Sequence, residues 1–203
     1  MSQITKVSIQ KNNKKKVNIF IDEEFFCALT LEMTVKHQLK PGMQIDADKL
    51  KEIISENEIQ QAFQKATDFV LKNLKTKRQV KDYLIKKGYT LDVAWQCVDK
   101  LKKYGYVDDV EFAKRYIEIS SKKQGKRLIE FKLMQKGVKK EDIALAYEQL
   151  DIDDSEDAKQ VAQKYLKNKA KTKENLAKAY RYLVGKGFNY DQITLALSEF
   201  EED

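Results

Sequence analysis

The side chains that could do chemistry in this sequence are cations and carboxylates, and their placement says more than any motif. Twelve cations fall into three groups: Lys72, Lys75, Lys77 and Arg78; Lys122, Lys123, Lys126 and Arg127; Lys167, Lys169, Lys171 and Lys173. Groups of this kind neutralise a phosphate backbone or an acidic protein surface, through contacts that tolerate any base sequence and weaken steeply with salt. Taken singly, each lysine reads as part of a solvated face; the recurrence is what points to a partner. Tyr83, Tyr116, Tyr165, Tyr180 and Tyr182 lie nearby and could stack on unpaired bases, although their helical spacing also suits a core or its rim. Two acidic runs, Asp108-Asp109-x-Glu111 and Asp153-Asp154-Ser155-Glu156-Asp157, resemble metal-binding carboxylates at first sight. Each precedes a segment of apolar periodicity, so capping and first-turn complementation of a helix dipole is the better reading.

No base, nucleophile or orienting residue accompanies those carboxylates. His37 is the only histidine, which excludes His-Asp triads and paired-histidine zinc sites; its place before Pro41-Gly42 suggests a surface or turn position. Cys27 and Cys97 sit in apolar runs without CxxC spacing and read as buried, reduced thiols. Phosphate-cradling loops of the GxxxxGK[ST] and GxGxxG types and the GxSxG elbow are absent from the sequence. A binding protein without cofactor or metal is expected, and not an enzyme. The first residues, MSQITKVSIQKNNKKK, carry no apolar signal core and no stretch is apolar enough to span a bilayer, so a cytoplasmic protein with no membrane partner is expected.

The elements that must position the cations follow from periodicity. Ile4–Ile9 and Val17–Ile21 alternate in the manner of strands around the polar Lys11–Lys14 turn, and Phe25–Leu31 reads as a third strand. Pro41-Gly42 breaks the segment, which gives a small β-rich module over residues 1–45 that must lean on later helices for stability. From Asp46 the period becomes 3.6, first in a connecting helix over 46–60 and then through Ala62, Phe63, Ala66, Phe69 and Val70. The stripe slips at Ser55–Asn57, leaving either one long bent helix or two joined helices.

Beyond that point the sequence repeats. Gly88, Gly137 and Gly187 are 49 and 50 residues apart, each four residues after a leucine (Leu84, Leu133, Leu183). Offsets of 6, 9, 10 and 13 after each glycine are apolar: Ala94, Cys97, Val98 and Leu101; Ile143, Ala146, Tyr147 and Leu150; Ile193, Ala196, Leu197 and Phe200. Those offsets form the buried stripe of one helix, and each glycine suits the position just past a helix end. An earlier helix in each unit carries Ala66-Phe69-Val70, Ala113-Tyr116-Ile117 and Ala158-Val161-Ala162. The expected architecture is mainly α: three tandem three-helix repeats over 61–107, 108–152 and 153–203, stacked into an elongated curved array behind the β module. Similar helices in one compact bundle are the alternative. Glu199–Asp203 reads as a solvated terminus.

Net charge is +7 on 203 residues, with 39 Lys+Arg against 32 Asp+Glu. Residues 1–60 hold nine of each sign, residues 61–150 hold 21 cations and 12 anions, and residues 151–203 hold nine and 11. The excess therefore sits in the middle segment, 61–150, and the three cation groups fall at the junction between first and second helix of each repeat. A polymeric acidic partner fits that spacing better than a membrane or a small acidic ligand.

The stretch Leu101-Lys-Lys-Tyr-Gly105-Tyr106-Val107-Asp108-Asp109-Val-Glu-Phe112-Ala113-Lys-Arg-Tyr116 resembles the diagnostic region of the RecX family of bacterial regulatory proteins, and the match continues through Gly125–Leu128 and Leu133–Val138. In physical terms Gly105 lets the chain leave a helix, Asp108 or Asp109 caps the next, and Phe112-Ala113 restart the apolar stripe. The resemblance implies a non-enzymatic modulator of the RecA recombinase. Such proteins bind along the groove of RecA–DNA filaments, limit extension or promote disassembly, and suppress ATP hydrolysis, strand exchange and SOS co-protease activity. Many also bind single- and double-stranded DNA. A monomer is expected. This chain departs from the commoner pattern in its excess of lysine over arginine and in a second helix of the third repeat about three residues longer than its counterparts. The reading based on residues alone is a basic helical module that binds nucleic acid and competes for it.

Overall fold

The computed structural model describes residues 2–150, 152 and 154–200. Asp153, expected within a capping run, and residues 201–203 of the acidic end lie outside them. Alternation produces the strands β1 (Ser2–Ile9), β2 (Lys16–Ile21) and β3 (Glu24–Thr30). In β2, Val17, Ile19 and Ile21 are buried while the residues between them are only half covered, the mark of a sheet with one face on a core. The sheet has four strands in the order β3-β2-β1-β4, all neighbouring pairs antiparallel, because Gln44–Ile45 (β4) adds to Ser2 and Gln3. A two-residue strand carries too little pattern to be read from sequence.

The third strand ends one residue earlier than expected. Thr30 accepts a hydrogen bond from the Met33 amide at 3.2 Å and so caps a short helix, α1 (Leu31–Lys36). α2 (Ala47–Val70) then runs unbroken for 24 residues through the Ser55–Asn57 slip. The slip has a cause: Asn57 is 4% exposed and its side-chain carbonyl accepts the Thr30 amide at 2.8 Å, so a polar residue occupies the buried face there and satisfies an edge group of β3. Ile4, Ile19, Leu29, Met33, Leu50 and Ile53 share one core, so the sheet does lean on α2. His37 ends α1, with its Nε2 2.8 Å from Glu56 Oε2, and the Lys36 ammonium also bonds Glu56. These hydrogen bonds, from Lys36 first and then His37, hold the Glu56 carboxyl below the usual carboxylate range. Neither cysteine is in a disulfide; Cys97 is buried, whereas Cys27 is half-buried and burial pushes its thiol up.

The remaining helices are α3 (Lys77–Lys86), α4 (Leu91–Lys103), α5 (Asp109–Ser120), α6 (Lys126–Gln135), α7 (Lys140–Glu148), α8 (Asp154–Leu166), α9 (Lys173–Gly185) and α10 (Tyr190–Ser198). A 3-10 turn, Ser121–Lys123, separates α5 from α6. The chain is mainly α, as expected, and it divides into two compact units: Met1–Asp68 with Leu84–Asp99, and Phe69–Tyr83 with Lys100–Asp203.

Each of Gly88, Gly137 and Gly187 has φ between 87° and 90° and ends a second helix. The residue after each glycine bonds back to the leucine four before it: Tyr89 to Leu84 at 3.2 Å, Val138 to Leu133 at 3.1 Å and Phe188 to Leu183 at 3.3 Å. This is the Schellman closure, which satisfies the last carbonyls of a helix and needs the left-handed conformation that glycine adopts cheaply. The three leucines are fully buried, and the residues six and nine after each glycine are buried in all three repeats. α9 has 13 residues against ten in α3 and α6, which accounts for the longer third repeat. That extra turn also shifts the match within α8. Ala162, Tyr165 and Leu166 reproduce the burial of Ala66, Phe69 and Val70 better than Ala158, Val161 and Ala162 do, and Tyr165 stacks on Tyr182 as Phe69 stacks on Tyr83.

Candidate binding surface

All twelve cations of the three groups belong to the unit formed by Phe69–Tyr83 and Lys100–Asp203. The first group spans the turn after α2 and the start of α3. Lys72 is exposed, and Lys75 lies 4.9 Å from the Phe69 ring centroid. Lys77 and Arg78 are occupied in a seam between repeats. The Lys77 amide donates to Asp109 Oδ1 at 2.9 Å, and its ammonium lies 3.6 Å from Asp109 Oδ2. Arg78 lies 3.7 Å from Asp82, and its aliphatic stem covers Gly137 so closely that a Cβ there would stand 2.3 Å from Cδ.

The second group flanks the 3-10 turn. Lys122, Lys123 and Arg127 are exposed, while Lys126 sits 4.6 Å over the Tyr147 ring. In the third group, Lys167, Lys169, Lys171 and Lys173 are all exposed, with Lys169 3.1 Å above the Tyr165 ring, itself stacked 4.4 Å from Tyr182. Among the described residues, Lys72, Lys122, Lys123, Arg127, Lys167 and Lys173 form no ion pair. Their charge is therefore uncompensated and available to an anionic partner. Each group also places one lysine over an aromatic ring, which fixes that cation at the surface without neutralising it.

The seam orders the turns that carry the first two groups. Thr76 is fully buried and donates from its hydroxyl to the Lys136 carbonyl at 2.7 Å, so the start of α3 rests on the end of α6. The Gly125 amide donates to the Lys186 carbonyl at 2.9 Å, so the start of α6 rests on the end of α9 in the same way. Gly125 and Gly187 meet backbone to backbone; a Cβ on Gly125 would stand 2.4 Å from the Gly187 carbonyl carbon. The starts of α3 and α6 are held in turns that the seam orders, and the first two cation groups lie on those turns.

Of the two neighbouring carboxylates, Asp108 caps its own helix, accepting the Val110 and Glu111 amides at 2.8 and 3.2 Å. Asp109 instead is 3% exposed and reaches across to the start of α3. No group of His, Cys, Asp or Glu able to hold a metal occurs among the described residues.

The sequence reading missed an apolar cleft of about 560 Å3 beside the first group, lined by Asn73, Leu74, Phe112, Arg115, Tyr116 and Ile119. Arg115 stands at its rim without an ion pair among the described residues, and Leu74 and Ile119 are exposed. Phe112 and Ala113 read in sequence as the restart of a core stripe and Tyr116 as a core residue or a stacking one; the signal for a cleft was Ile119, an apolar residue off that stripe. No described helix is long and apolar enough to cross a membrane.

A small antiparallel sheet, helices that recur in groups of three along the chain, and cationic turns at the first-to-second helix junctions define a helical-repeat protein. Family profiles name it further: "Regulatory protein RecX N-terminal domain" matches residues 2–46, "RecX, second three-helix domain" residues 108–146, and "RecX, third three-helix domain" residues 152–197. A regulatory protein RecX of Clostridium tetani is 39% identical over 138 residues, 68% of this chain and 64% of that protein. One from Clostridium botulinum strain Alaska E43 is 36% identical over 143 residues, 70% of this chain and 68% of that protein. The match thus spans about two thirds of each relative's length. The chain belongs to the RecX family of regulatory proteins. A crystal structure of regulatory protein RecX superposes over the whole of both chains with a TM-score of 0.74 at 20% identity, and RecX from Lactobacillus salivarius covers 72% of this chain with a TM-score of 0.65 at 21% identity, which shows the shared fold.

Proposed function

We propose that this chain is a non-catalytic modulator of a RecA recombinase, seated along the groove of RecA–DNA filaments, where it limits extension or promotes disassembly. In doing so it suppresses ATP hydrolysis, strand exchange and SOS co-protease activity in the cytoplasm. Family membership supports the choice of partner. The observation that carries the mode of binding is the return of unpaired cations at each first-to-second helix junction: Lys72, then Lys122, Lys123 and Arg127, then Lys167 and Lys173. A filament repeats its acidic features at intervals, and weak contacts in series raise one another's effective concentration.

A second reading rests on a different observation. Lys169 over Tyr165, with Tyr165 stacked on Tyr182, is a cation-and-aromatic platform of the kind that holds unpaired bases. On this reading the protein competes for single- or double-stranded DNA directly. The two separate by salt. ATPase of the host recombinase on single-stranded DNA is measured with substoichiometric protein over a salt series, alongside binding to naked DNA. Inhibition that persists at salt abolishing naked-DNA binding supports filament recognition; inhibition that tracks DNA binding at every salt supports competition. The triple variant Lys122→Glu, Lys123→Glu, Arg127→Glu should retain its helicity and lose inhibition. Full inhibition by that variant overturns the role of the cationic turns.

A further inference from the structure

The seam between repeats is used twice within the chain, and each time the same two surfaces meet: the first turn of one second helix, and the lysine-glycine end of the next. Gly137 is covered by the first turn of α3 and Gly187 by the first turn of α6, with hypothetical Cβ contacts of 2.3 and 2.5 Å. The third equivalent glycine, Gly88 at the end of α3, has φ +90° like the others, yet among the described residues nothing stands within 4 Å of the same position. One end of the series is thus an uncovered socket. The other end is an uncovered plug, the first turn of α9. Its Lys171-Thr172-Lys173 repeats the Lys75-Thr76-Lys77 that enters the Gly137 socket. Thr76 is buried and donates its hydroxyl hydrogen to the socket carbonyl; Thr172 is exposed, and among the described bonds its hydroxyl only accepts, from the Asn175 amide at 3.2 Å.

We propose that the first turn of α9 in one molecule docks on the Lys87-Gly88 end of α3 in a second copy, continuing between molecules the seam that the chain builds within itself. This goes beyond the filament reading and does not depend on it. Charge supports the choice of occupant. The residue equivalent to Arg78 is Glu174, which on this interface lies over Gly88 beside the cationic Lys86-Lys87. At present Glu174 is paired with Lys178 on its own helix at 2.6 Å, an exposed bridge that exchanges readily. Apolar surface is ready on both sides: Ile85 and Leu91 are exposed at the socket, and Ala177 and Tyr180 line a cavity of about 370 Å3 beside the plug with Leu176 and Leu197. No carboxylate equivalent to Asp109 exists in the first repeat, where Ala62 takes its place, so the intermolecular seam lacks one internal bond and is weaker than its models. The protein is then a monomer when dilute and associates when concentrated or aligned on a polymer.

The contact joins two different surfaces, so it does not close into a symmetric pair. Sedimentation equilibrium of the full chain, without recombinase or DNA, is run from about 10 μM to about 500 μM, the range in which weak contacts populate. The expected result is a weight-average mass that rises past that of a dimer without a plateau. Glu174→Lys and Lys87→Glu should each weaken association by about fivefold, as an exposed attraction becomes a repulsion. The double variant should restore it. A mass that stays monomeric throughout, a plateau at the dimer, or a double variant as weak as the singles would each overturn the proposal. Because the readout contains no recombinase, failure here leaves the filament reading standing.

Discussion

Replacing Asp109 by alanine is the sharpest probe of how the repeats are joined. Its carboxylate is 3% exposed, accepts the Lys77 amide at 2.9 Å and lies 3.6 Å from the Lys77 ammonium. The variant loses a charge-assisted bond and strands a donor at the start of α3, which together cost about 2–4 kcal/mol. In a chain of 203 residues that is a fall in melting temperature of about 4–16 °C, at about 2–4 °C per kcal/mol. Asp109→Asn keeps an acceptor and discards the charge, so it should lose about half as much. Lys77→Ala leaves the backbone bond intact and removes only a partly solvated ion pair, for about 0.5 kcal/mol. The expected ladder is therefore Asp109→Ala, then Asp109→Asn, then Lys77→Ala, read from urea and thermal melts followed by circular dichroism at the helical band. An alanine variant within about 0.5 kcal/mol of the parent, or a Lys77→Ala loss as large as that of Asp109→Ala, would refute the reasoning.

Alanine at the glycines should rank by surroundings and not only by backbone. Gly88→Ala meets open space and is charged only for its φ of +90°, about 1 kcal/mol, whereas Gly137→Ala must also displace the Arg78 stem. Gly125→Ala, at an ordinary φ of −75°, should cost about 2–3 kcal/mol because its Cβ meets Gly187 backbone; equal losses at Gly88 and Gly137 in urea melts would contradict the ranking. The Glu56 carboxyl has its pKa lowered on folding, so it stabilises the protein above the ordinary glutamate value of about 4.3 and that contribution disappears as pH falls through the lower folded value. Glu56→Gln should accordingly be less stable than the parent at neutral pH, with the gap closing below about pH 4; a gap of unchanged size at about pH 2.5 would show that the ionised carboxylate is not its source.

Much of this fold was legible because it is periodic. Glycine, the leucine four before it and the stripe after it recur with fixed offsets, so the helix ends and their buried faces could be read from spacing alone. Strand alternation in Val17–Ile21 was equally plain. What escaped were features set by contact across the chain. β4 is two residues of no pattern, recruited by Ser2 and Gln3. The slip at Asn57 looked like a bend until Thr30, 27 residues earlier, supplied the reason for a polar residue on a buried face. Among the cations, nothing local separates Lys77, turned into a seam by Asp109, from Lys72, which is exposed. The cleft beside the first group escaped for the same reason: Leu74 and Ile119 are 45 residues apart in the chain and come together only when α5 packs beside the turn after α2.

The seam also imposes an order in time. The start of α3 is completed by the carbonyl of Lys136 and the start of α6 by that of Lys186, partners 60 and 61 residues further along the chain. A ribosome adding about 5–20 residues per second needs several seconds to make each of those spans, and until it has done so the upstream helix start is an open end. During synthesis the starts of α3 and α6 therefore each wait for the repeat that follows, and the seams close in chain order, α3 before α6. The same polarity predicts which segment a nascent-chain protease reaches: the turn before the most recently made second helix, whose cover has not yet been translated.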